Sequence, residues 1–387
     1  MPDKKPKRTK TPIRFNLTTG ISEEYFNFLK DFFIKKATPK ALFIEPNVLF
    51  GVTEDEPFYF EHHIIIHPKK TSNHIVIDVL ETNPLSSCPD QHRVIFSIAQ
   101  TYTITFTQHN KTLQKTTLKP RLVKISLSKD TITVARDDRT QTEIPCLENE
   151  HRIHLKLKKS NTEMVNLGNN QYALIMEKHP GQCLLDYFVE KAHSSPKRRL
   201  QLCLNILNQY KKLMDKGVLH RDIKLDHIII NPKTLAVEII DFTLSILKNE
   251  TGLSCGTLGY AAPEIIPSVV LASESIVRSE IFSLGRLIML LLGGPEEDFS
   301  CLEHTQHWGL AQFKEAMSTC ATRYLFFTPR NDNKSPNNPI DETKPILQRA
   351  LSPNPSTRPN LEEMIWVFES ALDHSSQKSV SFQPKPS

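Results

Sequence analysis

The chain has 387 residues, of which 39% are hydrophobic and 24% are charged, and it carries a formal net charge of +5. This length suffices for one large two-lobed domain or two ordinary domains, and the composition is typical of a globular protein. The mild positive charge is not concentrated in the basic patch that nucleic-acid-binding proteins carry, so we expect no nucleic-acid partner.

The seven cysteines are scattered and odd in number, and none of them forms a Cys-x-x-Cys pair. This pattern predicts neither a disulfide framework nor a zinc site, and it favours a reducing, cytoplasmic location. The longest apolar run, residues 287–292, ends at Gly293 and is too short to cross a bilayer, so no transmembrane segment is predicted. The polar, basic N-terminus does not predict a secretory signal peptide.

The first part of the chain divides into a tail and an extension. Residues 1–18 are predicted to be a basic, disordered tail. Residues 19–90 form an N-terminal extension in which apolar spacing predicts a helix over 21–36. Strands are predicted within this extension over 41–45, 58–67 and 74–80. A loop rich in proline and serine over 83–90 marks the predicted boundary.

Residues 91–177 are predicted to be a small β-rich lobe. The stretches 94–100 and 102–108 alternate in polarity like two strands joined by a tight turn. Other elements predicted in this lobe are strands over 121–127 and 171–176 and a helix over 149–157. Residues 178–372 are predicted to be a mainly helical lobe, because apolar residues recur at helical spacing. Residues 373–387 are rich in Ser, Gln and Pro and are predicted to be disordered.

Three short segments indicate the chemistry of the chain. His220-Arg221-Asp222-Ile223-Lys224 is followed by Asp241-Phe242 and then by Ala262-Pro263-Glu264. Phosphoryl transfer requires a group that orients the attacking hydroxyl, a metal that bridges the phosphates, and positive charge near the transferred phosphate. Asp222 suits the first role, Asp241 suits the second and Lys224 suits the third.

The three segments together resemble those of a eukaryotic-type Ser/Thr protein kinase, a resemblance that covers roughly the last three-quarters of the chain. It implies an α+β, bilobal protein-kinase fold, with a β-rich N-lobe that contains helix C, a helical C-lobe and an added N-terminal α/β extension. It also implies transfer of the ATP γ-phosphate to Ser or Thr hydroxyls of a protein substrate. In that scheme Asp222 is the base and Asp241 holds Mg²⁺, or Mn²⁺ in its place. Thr257 matches a family threonine that bridges the catalytic aspartate and lysine.

The resemblance assigns further residues to the nucleotide. Met176 and Glu177 resemble the gatekeeper and hinge that contact adenine, and Glu150 resembles the glutamate of helix C. Lys124 stands mid-strand between apolar neighbours, so it is the predicted lysine that reaches the α/β-phosphates and pairs with Glu150. Lys129 is the alternative for that role, and a competing interpretation makes Lys124 a solvent-facing strand lysine.

Two more positions match parts of the family that organise the substrate-binding segment. Arg358 resembles the arginine that pairs with the glutamate of Ala-Pro-Glu, here Glu264, in a structural contact. Arg221 resembles the arginine that binds an activation-loop phosphate. The candidate phosphosites are Ser245, Thr251 and Ser254.

The first departure from the family concerns the loop over the phosphates. The sequence has no glycine between Gly51 and Gly168. A Gly-rich loop would therefore be built without glycine over residues 99–103, where Ala99 and Thr101 are predicted to contact the nucleotide. Glycine lets backbone N–H groups approach phosphate closely, so we expect weaker ATP binding or an unusual loop.

The other departures lie in the catalytic segments. His227 replaces the asparagine that holds a second metal, and imidazole suits Mg²⁺ poorly, which predicts one-metal catalysis or an altered metal preference. Thr243 replaces the glycine of Asp-Phe-Gly, and a β-branched residue should make the segment flip less readily. Glu280 replaces an aspartate with a similar structural role.

An active Ser/Thr kinase is the first interpretation, because Asp222, Lys224 and Asp241 are all present. The alternative is a pseudokinase scaffold that binds nucleotide or partners with little turnover, which the departures favour. Phosphorylation of a small molecule is a third interpretation, which the intact segment 256–264 opposes. A eukaryotic-type kinase with an N-terminal extension, a glycine-free loop and a basic start also resembles secreted effector kinases of intracellular bacteria, such as those of Legionella. That similarity implies host proteins as partners and the host cytosol as location.

Overall fold

The structure is a computed structural model, and the residues it describes form a series of ranges. These are residues 12–18, 28–29, 31–34, 41–51, 57–68, 74–88, 93–106, 111–116, 119–126, 131–135, 141–159, 161–168, 171–190, 194–253, 255–257, 259–265, 270–293 and 338–380. The chain divides into two compact units. The first unit contains Met1–Asp130 and Lys159–Lys178, and the second contains Thr131–Lys158 and His179–Ser387.

The strands and helices are numbered in chain order. The strands are β1 (Ile13–Phe15), β2 (Leu42–Ile44), β3 (Phe50–Gly51), β4 (Pro57–Phe60), β5 (Ile64–Pro68), β6 (His74–Leu80), β7 (Ser86–Cys88), β8 (Arg93–Phe106), β9 (Lys111–Thr116), β10 (Arg121–Ser126), β11 (Thr131–Ala135), β12 (Gln141–Pro145), β13 (Glu163–Gly168), β14 (Gln171–Glu177), β15 (Gln182–Cys183), β16 (Val218–Leu219), β17 (Ile228–Ile230), β18 (Val237–Ile239), β19 (Ile246–Leu247), β20 (Thr251–Leu253) and β21 (Val270–Leu271). The helices are α1 (Cys146–Lys156), α2 (Leu184–Glu190), α3 (Pro196–Asp215), α4 (Ser273–Leu291), α5 (Lys344–Ala350) and α6 (Leu361–Val380), with short 3₁₀ turns at Leu225–His227, Pro339–Thr343 and Pro355–Thr357.

The first unit contains a mainly antiparallel sheet whose strand order is β13-β14-β10-β8-β6-β5-β2, with β7 and β9 also paired to β8. Along β6 six of the seven residues are buried, including Asp78, so both faces of this strand are covered. A cluster of phenylalanines, among them Phe15, Phe32, Phe58 and Phe60, fills the core beside a smaller sheet of order β1-β4-β3. Edge-to-face ring contacts such as Phe15–Phe58 and Phe32–Phe58 stabilise this core.

The turn predicted at residue 101 is wrong. Residues 93–106 form the single strand β8, which pairs with β10 along its first half and with β9 along its second half. Gln100, Thr101 and Tyr102 include no glycine or proline, and Thr and Tyr favour extended backbone. A β-bulge places Ala99 between the two β8 residues that pair with Val79 and Leu80 of β6, and it shifts the register of that strand pair.

Strands β6 and β8 lie on opposite sides of the boundary predicted at residue 90 and pair with each other. The division of the chain at this residue into an extension and a β-rich lobe stays a prediction. The tail predicted for residues 1–18 is too long, because β1 pairs in parallel with β4 and Leu17 is buried. The strand predicted over 58–67 is broken at residues 61–63, which separate β4 from β5. Of the helix predicted over 21–36, residues 28–29 and 31–34 are helical and the others lie outside the described residues.

The second unit is built mainly from helices that pack around a large apolar core. Helix α3 begins at Pro196 after Ser195, whose side chain caps the helix by accepting from the Arg198 backbone N–H at 3.4 Å. Helix α4 is buried on nearly every side from Ile281 to Leu291, as predicted. Helix α6 continues to Val380, so the disorder predicted from residue 373 is wrong up to that point, since no Gly or Pro stops the helix there.

A four-stranded sheet of order β12-β11-β20-β21 also belongs to the second unit. It brings together the hairpin before α1 and a strand that follows Asp241. The predicted α+β class is confirmed by this mixture of sheets and helices. Among the described residues, no helix is both long and apolar enough to cross a membrane.

Candidate active site

The loop after β16 carries the predicted base, and helix α4 anchors it. Arg221 has a left-handed backbone, with φ of 70°, which costs energy for a residue with a side chain. Its N–H donates to Oε1 of Glu280 on α4, which holds this conformation. His220 is fully buried, and its Nε2 lies 3.0 Å from the Ile240 carbonyl oxygen. Burial, together with the neighbouring His227, lowers the pKa of His220 to about 4, so the ring is neutral at pH 7.

Thr257 fixes the orientation of the Asp222 carboxylate. Asp222 Oδ1 accepts from the Thr257 backbone N–H at 2.8 Å and from the Thr257 hydroxyl at 2.7 Å. Asp222 Oδ2 lies 3.8 Å from Lys224 Nζ and 3.6 Å from His227 Nδ1. One oxygen is therefore held by two donors, while the other lies beside two basic side chains. This arrangement suits a carboxylate that orients a hydroxyl next to a positive charge.

His227 lies between Asp222 and Asp241. Its Nδ1 is 2.8 Å from the Asp222 carbonyl oxygen, and its Nε2 is 3.6 Å from Asp241 Oδ2. A carbonyl oxygen only accepts, so this contact assigns a proton to Nδ1. In the neutral ring Nε2 then carries the lone pair on the side of Asp241.

These residues fit an open metal site rather than a closed one. Among the described residues, no three His, Cys, Asp or Glu side chains are grouped so that they could enclose a metal ion. Mg²⁺ in phosphoryl-transfer enzymes is held by one or two carboxylates, with the remaining ligands from phosphate and water. The Asp241 side chain is 27% exposed and follows β18 with φ of 63°, so it is accessible to such an ion.

Helix α1 holds the segment that contains Asp241 through polar contacts that the sequence did not predict. Asn149 Nδ2 donates to the Thr243 and Ser245 carbonyl oxygens at 3.0 and 2.8 Å. Arg152 donates to Glu250 from both terminal guanidinium nitrogens, and its Nη2 is 3.0 Å from Oε2. The signal that could have found these residues is their spacing, since positions three apart share one face of a helix.

Glu150 of α1 is also directed at this segment. Its side chain is buried, and Glu150 Oε2 lies 3.0 Å from the Thr243 hydroxyl oxygen. The same hydroxyl lies 2.6 Å from Asp241 Oδ1. The structure thus brings the predicted helix-C glutamate and the predicted metal ligand to one threonine side chain.

The strand β20 fixes part of the segment that follows. Its backbone pairs with β11 on one side and with β21 on the other. Ser245 is fully buried and its hydroxyl donates to the His220 carbonyl oxygen at 3.1 Å, so its prediction as a phosphosite is wrong. Thr251 lies half-buried on β20, and Ser254 lies outside the described residues. The Arg221 guanidinium packs against Gly252, where a Cβ atom would lie 2.6 Å from Nη1.

The predicted structural pair between Arg358 and Glu264 is confirmed. The two side chains form two hydrogen bonds, at 2.5 and 2.8 Å, and the arginine side chain is fully buried. Arg358 also donates to the Ser352 and Arg278 carbonyl oxygens at 2.9 Å. These hydrogen bonds connect Glu264 through Arg358 to the carbonyl groups of Ser352 and of Arg278 on α4.

The residues predicted to bind nucleotide in the first unit lie on paired strands. Lys124 is on β10 and its side chain is 4% exposed, so the solvent-facing interpretation is wrong. Met176 and Glu177 end β14 and are half-buried, and Glu177 accepts from Asn161 at 2.8 Å. Lys124 and Glu150 belong to different units, and their pairing stays a prediction; Lys129 lies outside the described residues.

Ala99 and Thr101 do not lie on a phosphate-binding loop. Ala99 is exposed in the middle of β8. Thr101 is 4% exposed, and its hydroxyl donates to Asp78 at 2.5 Å while accepting from Arg121 at 2.8 Å. The nucleotide contacts of Ala99 and Thr101 were predicted from a loop over residues 99–103, and these residues are part of strand β8 instead.

Comparison with known proteins matches the larger part of the chain to one family. A family model described as "protein kinase domain" matches residues 105–368. CBL-interacting serine/threonine-protein kinase 17 of Arabidopsis thaliana is 30% identical over 193 residues, covering 48% of this chain and 39% of that protein. Probable serine/threonine-protein kinase CCRP1 of Zea mays is 28% identical over 224 residues, which cover 56% of this chain and 32% of that protein.

Protein kinase kin1 of Schizosaccharomyces pombe is 24% identical over 208 residues, which cover 52% of this chain and 20% of that protein. This chain therefore spans between about a fifth and two fifths of the length of these relatives. The family match begins at residue 105, so most of the first unit lies before it.

Proposed function

The chain belongs to the protein kinase family, and from that premise we propose that it transfers the γ-phosphate of ATP to Ser or Thr hydroxyls of protein substrates. The observation that carries the proposal is the Asp222 carboxylate, held by two donors from Thr257 and facing Lys224. In this proposal Asp222 orients the attacking hydroxyl and accepts its proton. Lys224 supplies positive charge beside the transferred phosphate.

We assign the metal to Asp241, with His227 as its neighbour. A Mg²⁺ ion held by Asp241 would supply positive charge that neutralises the negative charge developing on the phosphates. The lone pair at His227 Nε2 is a softer ligand than the family's asparagine oxygen, and it favours Mn²⁺ relative to Mg²⁺. Asp241 stays an oxygen ligand that suits either ion.

ATP binding is assigned, on the family resemblance, to Lys124, Met176 and Glu177, with Glu150 as the partner of Lys124. The burial of Lys124 supports this assignment, because a buried lysine needs an anionic partner. We do not extend the assignment to Ala99 and Thr101, since the loop that placed them at the phosphates is a strand.

The test is transfer of labelled γ-phosphate from ATP to a generic Ser/Thr protein substrate, with Mg²⁺ and with Mn²⁺. We expect Asp222→Asn to lower the rate by about a hundredfold or more, because it removes the base without changing its shape. Asp226→Asn is the matched control, since Asp226 is an exposed carboxylate on the same loop. Equal labelling by wild type and Asp222→Asn would contradict kinase activity.

The pseudokinase scaffold is the second candidate function, and the departures at His227 and Thr243 favour it. It predicts stabilisation by ATP in a thermal-shift experiment without any phosphate transfer. The similarity in style to bacterial effectors would place the protein substrates in a host cytosol. A gain of phosphate on host proteins in cells that express the wild type, and no gain with Asp222→Asn, would support that source of substrates.

A further inference from the structure

One carboxylate oxygen of Asp241 accepts two hydrogen bonds from Thr243. Oδ1 lies 2.6 Å from the Thr243 hydroxyl and 3.3 Å from the Thr243 backbone N–H, both of which donate to it. Oδ2 lies on the other side, 3.6 Å from His227 Nε2. A glycine at position 243 would offer only the longer backbone contact, so the hydroxyl is the stronger constraint on the carboxylate.

Thr243 is itself fixed by helix α1. Its side chain is 2% exposed, and its carbonyl oxygen accepts from Asn149 Nδ2 at 3.0 Å. Its hydroxyl oxygen also lies 3.0 Å from Glu150 Oε2. A hydroxyl has one proton and donates to one carboxylate at a time, and the shorter distance favours Asp241. The buried threonine thus connects the position of the Asp241 carboxylate to the position of α1.

We propose that Thr243 is a positioning residue for the metal-binding carboxylate of Asp241, and this inference rests on the proposed function. Its hydroxyl holds Oδ1 and thereby directs Oδ2 toward the side on which His227 lies. The residue that departs from the family glycine then supplies a side-chain hydrogen bond that glycine lacks. It also links Asp241 to α1 through contacts within the second unit.

The test compares Thr243→Val, which keeps the shape and removes the hydroxyl, with Thr243→Ser, which keeps the hydroxyl. Binding of Mn²⁺ in the presence of saturating ADP is followed by the electron paramagnetic resonance signal of free Mn²⁺. We expect Thr243→Val to weaken Mn²⁺ binding about tenfold, while Thr243→Ser stays within about twofold of wild type. The kcat for phosphate transfer should fall by about ten- to a hundredfold in Thr243→Val alone.

Thr243→Ala is the second variant, because it removes the hydroxyl without adding a methyl group against Asp241. It should show the same loss of Mn²⁺ affinity as Thr243→Val. Equal Mn²⁺ affinity in the serine, valine and alanine variants would overturn the positioning role, and so would a wild type that binds no Mn²⁺. If the variants show the expected order of Mn²⁺ affinities but the wild type, although it binds Mn²⁺, transfers no phosphate, the proposed function is overturned. The positioning role of Thr243 is then still supported.

Discussion

Each compact unit contains a group of charged side chains, and the two groups differ in what surrounds them. The closed cluster of the first unit consists of His67, Asp78, Thr101 and Arg121. Asp78 is fully buried, and its Oδ1 accepts from the Thr101 hydroxyl at 2.5 Å and from Arg121 at 2.6 Å. Its Oδ2 lies 3.0 Å from His67 Nε2. Every charge in it faces an opposite charge, as the burial of ions in a protein requires.

The open cluster of the second unit consists of Asp222, His227 and Asp241. The side chains of Asp222 and Asp241 are 12% and 27% exposed, and each carboxylate has one oxygen fixed by a threonine. The other oxygen of each lies 3.6 to 3.8 Å from a basic side chain, Lys224 or His227. Both clusters are ionic, but the carboxylates of the open one are partly exposed, whereas Asp78 in the closed one is fully buried.

The histidines show the same difference. Burial alone would lower the pKa of His67, but its contacts with Asp78 and Glu163 outweigh burial and raise that pKa above its ordinary value. His67 therefore binds a proton more tightly than an isolated histidine does, beside the carboxylates of Asp78 and Glu163. His220 has no such carboxylate contact and is neutral, as its lowered pKa shows. A buried ionisable group thus points to function only where its partners leave space for a ligand.

The largest expected effect on stability is that of Asp78→Asn. It leaves the charges of Arg121 and His67 without their buried partner, so the free energy of unfolding should fall by about 3–5 kcal/mol. Urea denaturation measures this change. Asp215→Asn is the control, because Asp215 is an exposed carboxylate paired with Lys211, and its loss should leave the unfolding midpoint almost unchanged. Equal midpoints for the two variants would show that the closed cluster does not stabilise the fold.

A smaller loss is expected from Glu264→Gln in the second unit. The substitution removes a charged acceptor, but Arg358 keeps its carbonyl acceptors, so the free energy of unfolding should fall by about 2–3 kcal/mol. Glu363→Gln is the control, because Glu363 pairs with Arg349 at an exposed position. If Glu264→Gln proves as harmless as this control, the buried pair is not the constraint that its geometry indicates.

The third prediction concerns the open cluster and metal choice. His227→Asn replaces an imidazole by an amide oxygen, so the ratio of Mg²⁺-supported to Mn²⁺-supported transfer should rise severalfold. Initial rates over a titration of each metal measure this ratio. The substitution should leave the unfolding midpoint close to that of wild type, since His227 is partly exposed. An unchanged ratio would remove His227 from the metal site.

The smallest effect is a pH dependence that belongs to Glu280. Burial raises the pKa of Glu280 to about 8, although the Arg221 and His220 N–H groups act in the opposite direction. Because the folded pKa exceeds the ordinary value of 4.5, the folded state binds the proton more tightly. This stabilisation is complete below the ordinary pKa and is lost as the pH rises through about 8.

Glu280→Gln cannot titrate, so its melting temperature should fall less than that of wild type between about pH 5 and about pH 9. Glu274→Gln provides a control at an exposed position in the first turn of the same helix. Parallel melting curves for wild type and Glu280→Gln over this range would contradict the raised pKa. Asp78 accepts from the charged Arg121 side chain as well as from the neutral Thr101 hydroxyl, whereas Glu280 accepts from the Arg221 backbone N–H.

The catalytic segments could be predicted from the sequence because their residues lie close together along the chain. Asp222 and Lys224 are two positions apart, and the loop that holds them is short. The pair of Arg358 and Glu264 was also predictable, since both residues stand in recognisable local motifs. The helix around Glu150 was predicted from apolar spacing, and the structure places it at Cys146–Lys156.

The contacts that hold these parts were not predictable, because they join residues distant in sequence. Nothing in the sequence near Thr251 indicates that β20 pairs with β11, and nothing near Thr243 indicates its contact with Glu150. The alternation around Thr101 was compatible with a hairpin, and only pairing with β6, β9 and β10 makes it one strand. Strand pairing depends on partners that a local pattern does not contain.

The sequence by itself determined which chemical groups the protein has: the Asp222 carboxylate, the Lys224 ammonium and the Asp241 carboxylate, in the order typical of the kinase family. Tertiary structure alone decided how each carboxylate is oriented. Thr257 holds Asp222 and Thr243 holds Asp241, and the second of these contacts depends on helix α1 reaching the segment from a distant part of the chain. The physical reason is that hydrogen bonds require distances near 3 Å, which only the packed fold sets for residues far apart in sequence.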